Sequence, residues 1–208
     1  MSKKHHHPHD AHAAITHDEK PGFYEILEIS IRELLVEKGL LGPAEIREQI
    51  EVLDSRSPAL GSMLVARAWL DPAFKQRLLD NGVAAAKEMG IDMYDDTDFS
   101  VVENTETVHH VIVCTLCSCY PRPVLGLPPD WYKSKEYRSR TVKEPRAVLE
   151  EFGTIIPAHV DIVVKDSTAN LRYMVLPLRP AGTENYTESQ LAALVTRDAM
   201  IGVKVLRA

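Results

Sequence analysis

At 208 residues with 45% hydrophobic side chains, the chain can bury one good core. Its 24 basic against 30 acidic residues leave a net charge of -6, which argues against nucleic acid as a partner. No apolar run approaches the ~20 residues of a membrane span. No basic-then-apolar signal opens the chain and no disulfide framework is present, so a cytoplasmic protein that does not enter the membrane is expected.

Met1 to Lys20 hold His5, His6, His7, His9, His12 and His17 among few apolar side chains. Such a composition cannot offset the entropy of ordering, so residues 1–20 read as a disordered His-rich tail. The spacing is not that of a plain purification tag; the tail is foremost a solvated one whose imidazoles could also buffer a metal ion. From Phe23 the apolar positions Phe23, Ile26, Leu27, Ile31, Leu34 and Leu35 recur at helical spacing and stop at Gly39, and Pro43 opens a second helix through Ile46 and Ile50. Short helices of this kind need an outside surface for their apolar face, so residues 21–58 read as an arm and 59–208 as the main domain. There, a third helix is predicted over Leu60 to Trp69 and a fourth from Pro72 to near Gly90. Strands follow at Phe99 to Val102 and Val108 to Val113. Glu144-Pro145 opens a helix that closes at Gly153, strands follow at Val160 to Val164 and Tyr173 to Leu176, and Thr187 with Gln190 reads as a capping box for a last helix. The elements imply an α+β protein: one globular domain plus a helical arm, with no repeat.

All three cysteines fall within Cys114-Thr115-Leu116-Cys117-Ser118-Cys119, on the loop leaving the predicted strand Val108 to Val113. A structural disulfide would join distant parts of the chain, so this clustering points to a metal. Structural zinc normally takes four side-chain ligands in two pairs, and a second pair is missing. His109 and His110 lie in a strand that would point them to opposite faces. A cubane cluster normally needs four cysteines, and burial of three free thiols does not explain their spacing. A Cys-x-Cys step holds two sulfurs and the intervening peptide nitrogens on one side of a tight turn, a mixed N/S set that suits a transition metal rather than calcium or magnesium. The remaining alternative is a redox-sensing module in which oxidation of the cysteines is itself the signal.

The run Val113-Cys114-Thr115-Leu116-Cys117-Ser118-Cys119-Tyr120 resembles the metal-binding claw of the nitrile hydratase alpha subunit and its relative, the thiocyanate hydrolase gamma subunit. The resemblance extends through Ala66-Arg-Ala-Trp69-Leu-Asp-Pro72, Val124-Leu-Gly-Leu-Pro-Pro-Asp-Trp131-Tyr132, Tyr137-Arg-Ser-Arg140, Glu144-Pro-Arg146, Asp166-Ser167, Leu171-Arg172-Tyr173, Arg179-Pro-Ala-Gly-Thr183 and Leu194-Val-Thr-Arg-Asp-Ala-Met-Ile-Gly202. It implies a layered alpha-beta-beta-alpha domain and one low-spin trivalent cobalt or iron per subunit. The implied ligands are the sulfurs of Cys114, Cys117 and Cys119 and the backbone nitrogens of Ser118 and Cys119, with a sixth position open. Thr115 and Tyr120 are the residues that accompany cobalt(III) rather than iron(III) in this family. Cys117 is expected as sulfinic and Cys119 as sulfenic acid, both on the ordinary oxidation ladder. The implied catalytic residues are Cys117, Ser118 and Cys119, the Cys119 sulfenate serving as nucleophile or as base for a water that adds to a nitrile and gives the amide.

Thr115, Tyr120, Arg122, Asp166 and Arg172 are the expected supporting residues around the claw. The resemblance further implies an obligate beta-type partner wrapped by the arm, which would supply arginines to the oxidised sulfurs, and a cobalt-inserting activator. Tyr120-Pro121-Arg122-Pro123 departs from the nitrile hydratase pattern, and its arginine, like the Phe23-Tyr-Glu-Ile-Leu-Glu segment, is closer to the thiocyanate hydrolase version. A cation near the pocket mouth would favour thiocyanate over a neutral nitrile. Asp95 aligns only loosely with the Gly-Gln-Gly stretch of many nitrile hydratases, and Asp54 to Gly61 lacks their Glu-Asn-Glu signature, whereas Val124 to Pro129 pulls toward nitrile hydratase.

Overall fold

A computed structural model describes residues 22–93 and 97–207 of the chain. The predicted tail and Asp95 lie outside the described residues. The chain divides into two compact units, residues 1–49 and 50–208. Helix α1 (Phe23–Glu37) ends at Lys38, and Gly39 follows with φ +65°, where a residue without a side chain turns the chain at no steric cost. α1 buries none of its residues within the chain, and Phe23, Tyr24, Ile26, Leu27, Ile31 and Leu34 are all exposed. Helix α2 (Pro43–Ser55) follows, with Pro43 at its start, where the missing N–H costs nothing.

In the second unit each early helix is started by a capping side chain. Ser57 accepts from the Ala59 amide before α3 (Pro58–Leu70), and Asp71 from the Phe74 amide before α4 (Pro72–Asp80). The predicted fourth helix is two helices. Asn81 is extended and accepts from the Ala84 amide, ending α4 and starting α5 (Gly82–Glu88). The break lets the chain press against the first strand: a Cβ on Gly82 would sit 2.5 Å from the Phe99 carbonyl oxygen.

Strands β1 (Asp98–Glu103) and β4 (Leu171–Leu176) pair in parallel, as do β2 (Val108–Val113) and β3 (Asp161–Asp166). Between β2 and β3 lie four short helices, α6 (Arg122–Leu125), α7 (Asp130–Lys133), α8 (Lys135–Thr141) and α9 (Pro145–Glu151). Helices α4 and α5 pack on β1, α8 on β2 and α9 on β3, while β2 also meets β4. The result is helix, sheet, sheet, helix, the layered α+β arrangement expected. The Thr187–Gln190 capping box is present at α10 (Glu188–Leu194), and α11 (Arg197–Ile201) then packs on β4 and β2. Val111, Ile112, Val113, Met174, Val175 and Leu176 form the buried centre between the sheets. Trp69 ties α3 to this centre by donating its indole N–H to the Pro177 carbonyl at 2.9 Å.

β2 alternates over its first four residues and is buried throughout its last three, Val111 to Val113. His109 is buried, with its ring nitrogens 3.2 Å from Asn104 Nδ2 and 2.7 Å from the Gly202 carbonyl, while the His110 ring is only half-buried. Gly202 closes α11 with φ +92°, and a Cβ there would collide with the His110 carbonyl. Only glycine lets the helix end approach the strand so closely.

Candidate metal centre

The register of β2 and β3 positions the cysteine loop. Val113 lies opposite Asp166 at the ends of the two strands, and the Ser167 amide donates to the Val113 carbonyl at 2.7 Å. The chain leaving β2 therefore starts beside the chain leaving β3. Asp166 uses both carboxylate oxygens there, accepting from the Thr115 amide at 2.9 Å and from the Thr115 hydroxyl at 2.6 Å. An ionised carboxylate in a two-point clamp is a stronger acceptor than a neutral oxygen, so the entry of the loop is held by a side chain fifty-one residues away.

The sulfurs of Cys114, Cys117 and Cys119 lie within 4.8 Å of one another. Cys114 is buried, Cys119 half-buried and Cys117 exposed. Cys114 Sγ is 3.5 Å and Cys119 Sγ 3.1 Å from Cys117 Sγ, and the Cys117 amide donates to Cys114 Sγ at 3.3 Å. Hydrogen bonding from Cys119 and Cys114, joined by the backbone N–H groups of Ser118 and Cys119, lowers the Cys117 thiol to about 7. Burial and the neighbouring sulfurs push Cys119 up to about 12, against the pull of Arg172. The arrangement thus favours the thiolate at Cys117 over that at Cys119, and thiolates are the form that oxidises and binds metal. Three soft sulfur donors, with amide nitrogens turned to the same side, are a donor set that fits a transition metal.

An aromatic layer supports the loop. Tyr132 is fully buried and donates its hydroxyl to the Cys119 carbonyl at 2.9 Å. Tyr137 donates to the Ile112 carbonyl at 2.6 Å, one residue before the end of β2. Tyr120 packs edge-on against Tyr132, with ring centroids 5.0 Å apart. Arg138 donates to the Cys117 carbonyl at 3.0 Å.

The structure thus brings together Cys114, Cys117, Ser118, Cys119, Thr115 and Asp166. Arg172 reaches the loop through its charge on Cys119, and its guanidinium is bonded to the Thr168 carbonyl. Tyr120 is buried with its hydroxyl unpartnered among the described residues, and burial raises the phenol. Arg122 is exposed at the start of α6; its side chain makes no hydrogen bond or ion pair among the described residues. Tyr132, Tyr137, Ser167 and Arg138 were not singled out for the site by sequence reasoning. Each lies in a segment of family resemblance, but nothing in their spacing links them to the cysteines, because the contacts form only when α7, α8 and β3 fold back on β2.

Fold and cluster together define an α+β protein with a thiolate site of the kind that holds a transition metal. The family model for the nitrile hydratase alpha chain matches residues 23–204, and the chain belongs to that family. The low-molecular-weight cobalt-containing nitrile hydratase alpha subunit of Rhodococcus rhodochrous is 54% identical over 177 residues, 85% of this chain and 86% of that protein. A recombinant thiocyanate hydrolase with partially modified cobalt centres superposes with a TM-score of 0.85 at 43% identity, covering 90% of this chain and 91% of that one. A double histidine-to-alanine mutant of the Fe-type nitrile hydratase from Comamonas testosteroni Ni1 superposes with a TM-score of 0.83 at 45% identity, covering 89% of this chain and 91% of that one.

Proposed function

We propose that this chain is the metal-binding catalytic subunit of a nitrile hydratase, converting a nitrile to its amide. The observation that carries the reading is the gathering of the three sulfurs within 4.8 Å on a loop fixed at both ends. In this reading the ligands are the sulfurs of Cys114, Cys117 and Cys119 and the backbone nitrogens of Ser118 and Cys119. Cobalt(III) is favoured over iron(III) by Thr115 and Tyr120 in the claw and by the cobalt-containing relative. A bound trivalent ion supplies a Lewis acid with one open position.

The rest is the work of the chain. Cys117, the exposed sulfur, would carry the heavier oxidation, to sulfinic acid, with an external oxidant such as dioxygen taking up the electrons. Cys119 would carry the sulfenate oxygen, which either takes a proton from a water that adds to the nitrile carbon or adds there itself, a water then releasing the amide and restoring the sulfenate. The positive charge of Arg172 lies close enough to Cys119 to offset negative charge on that oxygen. The Asp166 clamp on Thr115 and the Tyr132 bond to the Cys119 carbonyl keep the loop from opening as charge develops.

The proposal includes a beta-type partner covering the exposed apolar face of α1, with residues 21–58 as the arm and 59–208 as the catalytic domain. It also includes an activator that inserts cobalt and a cytoplasmic setting. No described helix is long and apolar enough to cross a membrane.

Arg122 favours a second reading, the gamma subunit of a thiocyanate hydrolase: an exposed, unpaired cation three residues past Cys119 would draw an anion toward the loop. Product analysis of the cobalt-loaded complex, coexpressed with its neighbouring genes, separates the two. Faster amide formation from an aliphatic nitrile supports the first reading; faster release of carbonyl sulfide and ammonia from thiocyanate replaces it with the second. Arg122→Trp is expected to raise the nitrile-to-thiocyanate rate ratio, and an unchanged ratio makes Arg122 a bystander.

A further inference from the structure

Three described side chains grip the backbone of the cysteine loop from outside. Asp166 holds its entry at Thr115, Tyr132 its exit at Cys119, and Arg138 its middle at the Cys117 carbonyl. The middle is where packing helps least, because Leu116 is 83% exposed and Cys117 is exposed too. A polar anchor is therefore needed to fix the peptide that follows Cys117.

That peptide is trans, as are all described peptide bonds. In a planar trans peptide the carbonyl and the next N–H point in opposite directions. The Ser118 N–H is turned toward the Cys117 sulfur, so the Cys117 carbonyl must face away from the sulfurs. There Arg138 meets it, with Nη1 at 3.0 Å, while Nε lies 3.4 Å from the Ser134 carbonyl at the start of α8. The Ser134 contact is one turn back in Arg138's own helix, so the guanidinium is steadied on α8 and acts as a strut from α8 to the cysteine loop through Nη1, which a lysine of shorter reach and no fork reproduces poorly.

We propose that Arg138 is a positioning residue of the metal centre, holding the Cys117–Ser118 peptide so that the Ser118 nitrogen stays on the concave side with the three sulfurs. Loss of the strut frees that peptide to flip, turning a carbonyl oxygen toward the sulfurs in place of the nitrogen. The bond sets the donor atoms offered to an ion, and its removal changes the character of the site before it changes the stability of the fold. This inference rests on the reading of the loop as a metal centre.

The test uses the cobalt-loaded complex with its coexpressed partner, comparing the parent with Arg138→Met and Arg138→Lys. The readouts are cobalt per chain by elemental analysis, the rate of cobalt loss to excess chelator, the sulfur-to-metal absorption band and the thermal midpoint. Arg138→Met is expected to lose cobalt about ten- to a hundredfold faster with a displaced band, at an unchanged midpoint. Arg138→Lys should fall between it and the parent, and it carries the test alone if the methionine variant does not assemble. Loss rate and band equal to the parent's overturn the role of Arg138. A parent complex that takes up no cobalt overturns the metal-centre reading itself and this inference with it, so the two failures are told apart.

Discussion

At the scale of single residues, the chain keeps its two kinds of titrating side chain in opposite conditions. The cysteine sulfurs share hydrogen bonds and one of them is exposed, whereas His109 is shut inside the domain between Asn104 and Gly202. Burial lowers the His109 pKa, against the bond to Gly202, and burial and Lys165 lower that of His110. The folded chain thus refuses protons that the unfolded chain accepts below the ordinary value of 6.5. Stability is accordingly full above that value, falls as pH drops through it, and levels off only below the depressed folded pKa values. Urea midpoints at about pH 7 and pH 5 should show this loss, and His109→Gln should remove part of it. A midpoint difference as large in the variant as in the parent contradicts the assignment. Sequence placed the cysteines and Asp166 in the site because each sits in a recognisable run. It could not find Tyr132 or Arg138, whose hydroxyl and guanidinium act on carbonyls thirteen and twenty-one residues earlier in the chain.

Among the elements, the long periodic ones and those opened by proline or a capping side chain were legible. The starts of α4 and α9 are marked by Pro72 and Pro145, and α10 by its capping box, whereas α3, expected from Leu60, begins two residues earlier at Pro58. Helices α6, α7 and α8 were not, because four- to seven-residue helices present no full turn-to-turn apolar pattern. Nor was the break at Asn81, since the apolar spacing of α4 and α5 runs on through it and only the approach of β1 makes it necessary. Gly82→Ala should therefore destabilise the domain by about 1–3 kcal/mol, because the added Cβ meets backbone at Phe99 that cannot swing aside. Chemical denaturation measures this directly. Stabilisation instead, as expected for a plain glycine-to-alanine change inside a helix, contradicts the packing account.

For the whole molecule, β1 pairs with β4 in one sheet and β2 with β3 in the other, and the parallel register of the second places two strand ends, Val113 and Asp166, side by side. The cysteine loop needs that juxtaposition: the chain leaving β2 carries the sulfurs, and the end of β3 supplies the carboxylate that clamps Thr115 at the loop's entry. The fold class could be read from the alternation of helices and strands, but which strands pair depends on contacts some seventy residues apart and leaves no local pattern. Helix α1 presents an exposed apolar face, the surface that the proposed beta-type partner would cover. In the proposed enzyme the loop from Cys114 to Cys119 holds the metal. X-ray absorption at the cobalt edge of the assembled complex tests it most directly. A trivalent ion surrounded by sulfur with a minority of nitrogen is the predicted result, lost on Cys119→Ala; a divalent ion bound only by imidazole and oxygen, unchanged by that substitution, would place the metal on histidines such as those of the tail and contradict the account.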